Sequence, residues 1–254
     1  MQSESLIYKT DASLLVVVLL LLMLLFIFVG RKVGSKVTPQ PEGHTGTVVS
    51  AILGLMAFLL AFTFGMSGSR FDTRRKNIVD EANAIGTAII LADLYPEEQR
   101  KAFREDFKVY VEERIHYFEN GYVPDSEIVQ VDHGPKLWNR AAQLSHHPEN
   151  LLASQKMIPA LTDMLSLSTV RLIGELSRVP DSIVWMLLIL AMVSAFYLGY
   201  SSSSRPSIDW LVSIGFCVII SLIIFITLDL DRPRRGLIQL STSEKAMTDL
   251  RKLF

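Results

Sequence analysis

The chain has 254 residues, half of them hydrophobic, with 25 basic and 26 acidic side chains and a formal net charge of −1. That balance gives no overall pull toward polyanions, so a nucleic-acid partner is not expected. A single cysteine, Cys217, excludes an intrachain disulfide and any zinc cluster built from cysteines.

The apolar residues collect in four blocks, Ala12 to Val29, Val48 to Met66, Ile183 to Leu198 and Trp210 to Leu228, none of which contains an Asp, Glu, Lys, Arg or His. Roughly 18–20 helical residues cross a hydrocarbon core about 30 Å thick, and lipid tolerates only backbone that is bonded internally. The sequence therefore predicts an all-α membrane protein with four transmembrane helices. The first block reads as a retained span rather than a cleaved leader. It is longer than a signal core, Glu4 and Asp11 precede it against a lone Lys9, and no small-x-small site follows.

From Val48 to Leu94 there is no proline, so one helix of forty-odd residues is expected to run out of the bilayer, with Gly65 and Gly68 as the places where it can bend. Ile78, Ala82, Ile85 and Ile89 lie along one of its sides. Two short helices cover that side only partly, and packing between identical copies is expected to bury the rest. A hydrophilic, helical segment follows. Pro96, Glu97 and Glu98 open a helix, Phe103, Phe107, Tyr110, Arg114 and Phe118 stripe it, and Asn120-Gly121 ends it. Residues 121–135 are turn-rich, with room for a short extended stretch at Ile128 to Val131. A second helical region runs from Lys136 past a break at His147-Pro148, with a stripe at Ile158, Leu161, Leu165, Thr169, Leu172 and Leu176.

These boundaries give a first transmembrane hairpin at 1–66, a helical cytoplasmic domain at 67–181 inserted between the second and third spans, a second hairpin at 182–229 and a C-terminal tail at 230–254. With four spans, both termini and the inserted domain share one side. That side carries Lys9, Arg70, Arg74, Arg75, Lys76, Arg171, Arg178, Arg232, Arg234 and Arg235, against Arg31, Lys32, Lys36 and Arg205 on the other. The excess places the termini in the cytoplasm.

Chemistry-bearing positions concentrate on the second span and its extension. Ser50, Gly54, Ala57, Ala61, Gly65 and Gly68 form a small-residue face of the kind that brings membrane helices close. Phe58 and Phe62, four apart, either pack between helices and lipid or form apolar rings that narrow a pore. In RFDTRRK, Arg70, Arg74 and Arg75 either anchor the helix at the interface or attract anions and anionic headgroups to a mouth. Asp72, Lys76 and Asp80 stand four apart, so partial pairing weakens that field. Asp80, Asn83 and Thr87 share a polar face that reads as an intersubunit or interhelix seam. After the fourth span, Asp229 and Asp231 are the only weak candidates for a metal; a helix end salt-bridged to arginine is the stronger reading, and no cofactor is expected. His133, His146 and His147 have no partners at ligand spacing, and no phosphate-binding loop, zinc-peptidase motif or nucleophile elbow occurs, so an enzyme is not expected. No ionisable residue lies within the spans, which argues against a proton-coupled transporter.

The stretches GLMAFLLAFTFGMSGSRFDTRR, VDEANAIGTA with LADLYP, and LDLDRPRRGLI resemble the bestrophin-like family of bacterial membrane proteins along nearly the whole chain. More distantly, Phe58-Leu59-Leu60-Ala61-Phe62 followed eight residues on by Arg70-Phe71 is similar to the second-span signature of bestrophin anion channels. That resemblance implies a pentamer around a central pore, with Phe58 and Phe62 supplying two rings of a neck. The third ring falls on Gly54, where bestrophins carry a bulkier apolar residue, which implies a wider or shorter neck. Bestrophins also build a calcium clasp from a run of acids after the fourth span, where this chain has basic residues instead. The expectation is a homo-oligomeric, anion-conducting channel of a bacterial inner membrane, with itself, the lipid bilayer and inorganic anions as partners. The alternative is a non-conducting membrane-anchored scaffold or sensor whose helical domain binds a partner.

Overall fold

The computed structural model describes residues 10–36, 44–120, 133–204, 209–232 and 241–254. Among these the regular structure is helical throughout, with no strand. In chain order the helices are α1 (Ala12–Gly34), α2 (His44–Leu91), α3 (Glu97–Asn120), α4 (His133–Leu144), α5 (Leu151–Leu176), α6 (Asp181–Ser201), α7 (Trp210–Leu230) and α8 (Ser241–Thr248), with short 3-10 turns at Ala92–Leu94, Pro148–Asn150, Ser202–Ser204 and Asp249–Leu253. The expected stretch at Ile128 to Val131 lies outside the described residues.

Four helices, α1, α2, α6 and α7, are long and apolar enough to cross a membrane. The chain divides into two compact units, residues 1–71 with 178–239 and residues 72–177 with 240–254. The last fifteen residues therefore cluster with the hydrophilic unit, where Met247 and Leu250 are buried in its core.

In the first unit α1 and α6 pack so closely that their backbones touch. A Cβ on Gly30 would stand 2.1 Å from the Phe196 carbonyl oxygen, and one on Gly199 would stand 2.0 Å from that of Ile27. Ala191, Ala195 and Gly199 recur at steps of four on α6, the small-residue spacing that lets helices in lipid gain dispersion contacts and shed exposed surface. Met23, Ile27, Ala191, Ala195 and Cys217 are fully buried there. The Asp209 side chain accepts the Val212 N–H at 3.3 Å, capping the start of α7.

The second unit is a water-soluble kind of core. Phe103, Phe107 and Tyr110 of α3 are buried in the stripe that their spacing predicts, against Ile85 and Ile89 of α2, Leu137 and Ala141 of α4 and Met157 and Leu161 of α5. The α5 stripe is turned relative to expectation. Its inward line is Met157, Leu161, Met164 and Arg171, while Thr169 and Leu172 face outward. Hydropathy could not find that line, because a fully buried arginine closes it.

Candidate functional site

Helix α2 is unbroken over 48 residues, and its two sides differ throughout. One side is buried by its own protomer: Val49, Met56, Leu60, Thr63 and Ser67 in the first unit, then Arg74, Ile78, Glu81, Ile85 and Ala88 in the second. These steps of three, four and seven are the helical period. The opposite side is left open. Phe58 is 66% exposed and Phe62 57%, and a Cβ on Gly54, Gly65 or Gly68 would meet nothing within 4 Å. Next to Phe62 the surface forms an open groove lined by Ala61, Phe62, Gly65, Met66, Ser69 and Arg70. Gly54, Phe58 and Phe62 thus share a face that no part of the first unit covers.

The three arginines after this face have different surroundings. Arg70 turns toward Asp231, its Nη1 lying 3.7 Å from Oδ1, and Oδ2 of the same carboxylate accepts the Val179 N–H at 2.8 Å. Arg74 is buried. Its Nε donates to the Gly174 carbonyl at 3.1 Å and its Nη2 to the Ser177 carbonyl, so its charge serves the C-terminal end of α5. Arg75 is exposed. Asp80 is half-buried, and Asn83 and Thr87 are exposed, the Thr87 hydroxyl donating to its own helix at the Asn83 carbonyl at 2.9 Å. The polar face at Asp80, Asn83 and Thr87 is therefore uncovered within the protomer. Asp229 and Asp231 are both buried, and Asp231 closes the α7 end between Val179 and Arg70. The neighbouring Arg232 donates to the Thr10 carbonyl at 2.6 Å. Among the described residues no group of three or more His, Cys, Asp or Glu is arranged to hold a metal ion.

The family model described as "Bestrophin-like domain" matches residues 14–244. The chain belongs to the bestrophin-like family. Its fold is similar to that of a bacterial bestrophin homolog from Klebsiella pneumoniae. A tryptophan-to-alanine variant of that protein aligns with a TM-score of 0.71 at 14% identity, over 96% of this chain and 99% of the other. A tyrosine-to-alanine variant aligns with a TM-score of 0.70 at 14% identity, over 93% of this chain and 99% of the other. At that identity the likeness is one of fold. No curated protein matches the sequence.

This bestrophin-like chain also holds a buried charge cluster that reading the sequence left without a role. Glu81, on the inward side of α2, is fully buried and bridges two arginines. Arg114 Nε of α3 donates to Oε1 at 2.7 Å, and Arg171 Nη1 of α5 donates to Oε2 at 2.7 Å. Glu175 adds a second carboxylate 3.4 Å from Arg171 Nε and accepts the Tyr117 hydroxyl at 3.2 Å. The Tyr117 ring lies 5.1 Å from the Arg114 guanidinium and 5.6 Å from that of Arg171. Two acids and two arginines cancel, which is what a buried charged group requires. Burial acts to lower the Arg114 pKa, but the Glu81 charge outweighs it and the guanidinium is held above its usual value. Arg114 occupies an apolar stripe position in the sequence, and that misfit was the available signal.

Proposed function

We propose that copies of this chain assemble into an ion channel whose neck is lined by α2, with Phe58 and Phe62 as successive apolar rings and Gly54 as a wider position beyond them. One observation carries the reading: both phenylalanines lie mid-span on a face their own protomer leaves open, while the other side of the same helix is buried. Apolar rings of this kind gate by excluding water, which explains how a conduit can lie in spans that carry no ionisable residue. Asp80, Asn83 and Thr87, also uncovered, supply polar contacts between copies. A ring of five, a bacterial inner membrane and cytoplasmic termini follow from the resemblance to bestrophins and from the excess of lysine and arginine on one side. The same resemblance implies anions as the permeant class. Arg70 and Arg74 are nevertheless directed at Asp231 and at two carbonyls, so the sign of the ion turns on other side chains of α2.

The test is purified protein in planar bilayers. The wild type is expected to conduct, and Phe62→Ala to raise the current or remove its gating. Silence in both would favour the alternative of a non-conducting scaffold.

A further inference from the structure

Which charges share the face of the neck can be read from α2 alone, because it is one uninterrupted helix. At about 100° per residue, the bisector of Phe58 and Phe62 passes close to Ser69 and Thr87, within about 20° of Lys76 and Asp80 and about 60° of Asp72. Arg70, Arg75 and Arg74 point about 100°, 120° and 140° away from it by the same rule. The surroundings agree. Asp72 and Lys76 are exposed and Asp80 is half-buried, and none of the three forms an ion pair among the described residues. Arg70 and Arg74 are the arginines with partners in their own protomer. Two carboxylates against one ammonium leave this face with a net charge of −1 per copy, multiplied around the ring by the number of copies.

We propose that Asp72, Lys76 and Asp80 set the sign of the permeant ion, and that their excess of carboxylate makes this channel favour inorganic cations over anions. The chemistry is that of any charged ring beside a narrow apolar passage. A fixed negative potential raises the local cation concentration and lowers that of anions, and the low-dielectric wall prolongs its reach. Lys76, one turn from each acid, moderates the effect.

The inference rests on the reading of α2 as the pore wall, and one set of measurements separates the two. Full-length protein is reconstituted in planar bilayers under a KCl gradient, and the reversal potential is read. Wild type is expected to reverse on the potassium side. Asp72→Asn with Asp80→Asn is expected to move the reversal toward chloride, and Lys76→Gln to move it further toward potassium. Arg75→Gln is expected to leave it in place. All four residues are at least partly exposed, so these isosteric changes leave the core intact. A wild type that prefers chloride, or carboxamide variants with an unchanged reversal potential, would overturn the cation proposal while leaving the pore. The absence of any current, in Phe62→Ala as well, would overturn the pore reading and the selectivity with it.

Discussion

At the scale of single residues, the protein separates side chains whose charge is used inside the fold from those that face outward. Glu81 is the strongest case. Removing it leaves Arg114 and Arg171 facing each other in a site without water, and cutting one partner from a buried pair costs about 3–5 kcal/mol. Glu81→Ala is therefore expected to lower the thermal midpoint steeply, and Glu81→Gln, which keeps the shape but not the charge, to recover only part of the loss; differential scanning fluorimetry reads both. Asp106 makes a second prediction through pH. Burial pushes its pKa up, but hydrogen bonds from Lys136 at 2.9 Å and Arg140 at 2.8 Å pull it down further, and the net position is below the ordinary carboxylate value. A depressed acid stabilises the fold at pH above its unfolded value, about 4, and that contribution disappears as pH falls through the lower, folded value. Asp106→Asn should thus be less stable at neutral pH and show a shallower loss in acid, measured as the melting midpoint from pH 7 down to 3. An unchanged acid limb would mean that the two cations do not hold the carboxylate.

At the scale of elements, closeness of approach decides which positions tolerate change. The Gly30 and Gly199 contacts leave no space for a methyl group, and the nearest atoms are backbone that cannot swing aside. Gly199→Ala should force α1 and α6 apart at a cost of about 1–3 kcal/mol, seen as a lower melting temperature in detergent. Gly54→Ala, on an open face, should leave that temperature unchanged in the monomeric fold. A matching loss at both positions would show that the open face is not open. The same contrast explains what was legible beforehand. The four spans announced themselves because unbroken apolar length has one physical solution in lipid, and the continuity of α2 followed from the absence of proline. The α3 stripe was legible because Phe103, Phe107 and Tyr110 are apolar. The α5 register was not, since Arg171 is buried by neutralisation from Glu81, a partner 90 residues away that no local pattern reveals. Arg74 was read as a mouth residue for the same reason. Its acceptors are carbonyls of α5 and the residue after it, and backbone oxygens carry no sequence signal.

At the scale of the whole molecule, the open side of α2 sets the requirement. It begins with Phe58 and Phe62 among small residues and ends, in the same helical register, with Asn83 and Thr87. Lipid would suit the aromatic part and water the polar part, but a partner copy suits both, because the glycines admit close approach and the amides and hydroxyls find hydrogen bonds. Native mass spectrometry of the intact protein in mild detergent should then show a closed ring of more than two copies, five by the family resemblance. A second measurement locates the contact. In a Cys217→Ser background, Thr87→Cys treated with a short bismaleimide should give covalent multimers up to the ring size, since Thr87 is exposed and faces the neighbouring copies. A cysteine at Ser166, an exposed position of α5 in the hydrophilic unit, should give none under the same conditions. Multimers from Ser166→Cys but not Thr87→Cys would place the subunit contact on another face, and a monomer or dimer by mass would leave Phe58 and Phe62 without a shared axis to line.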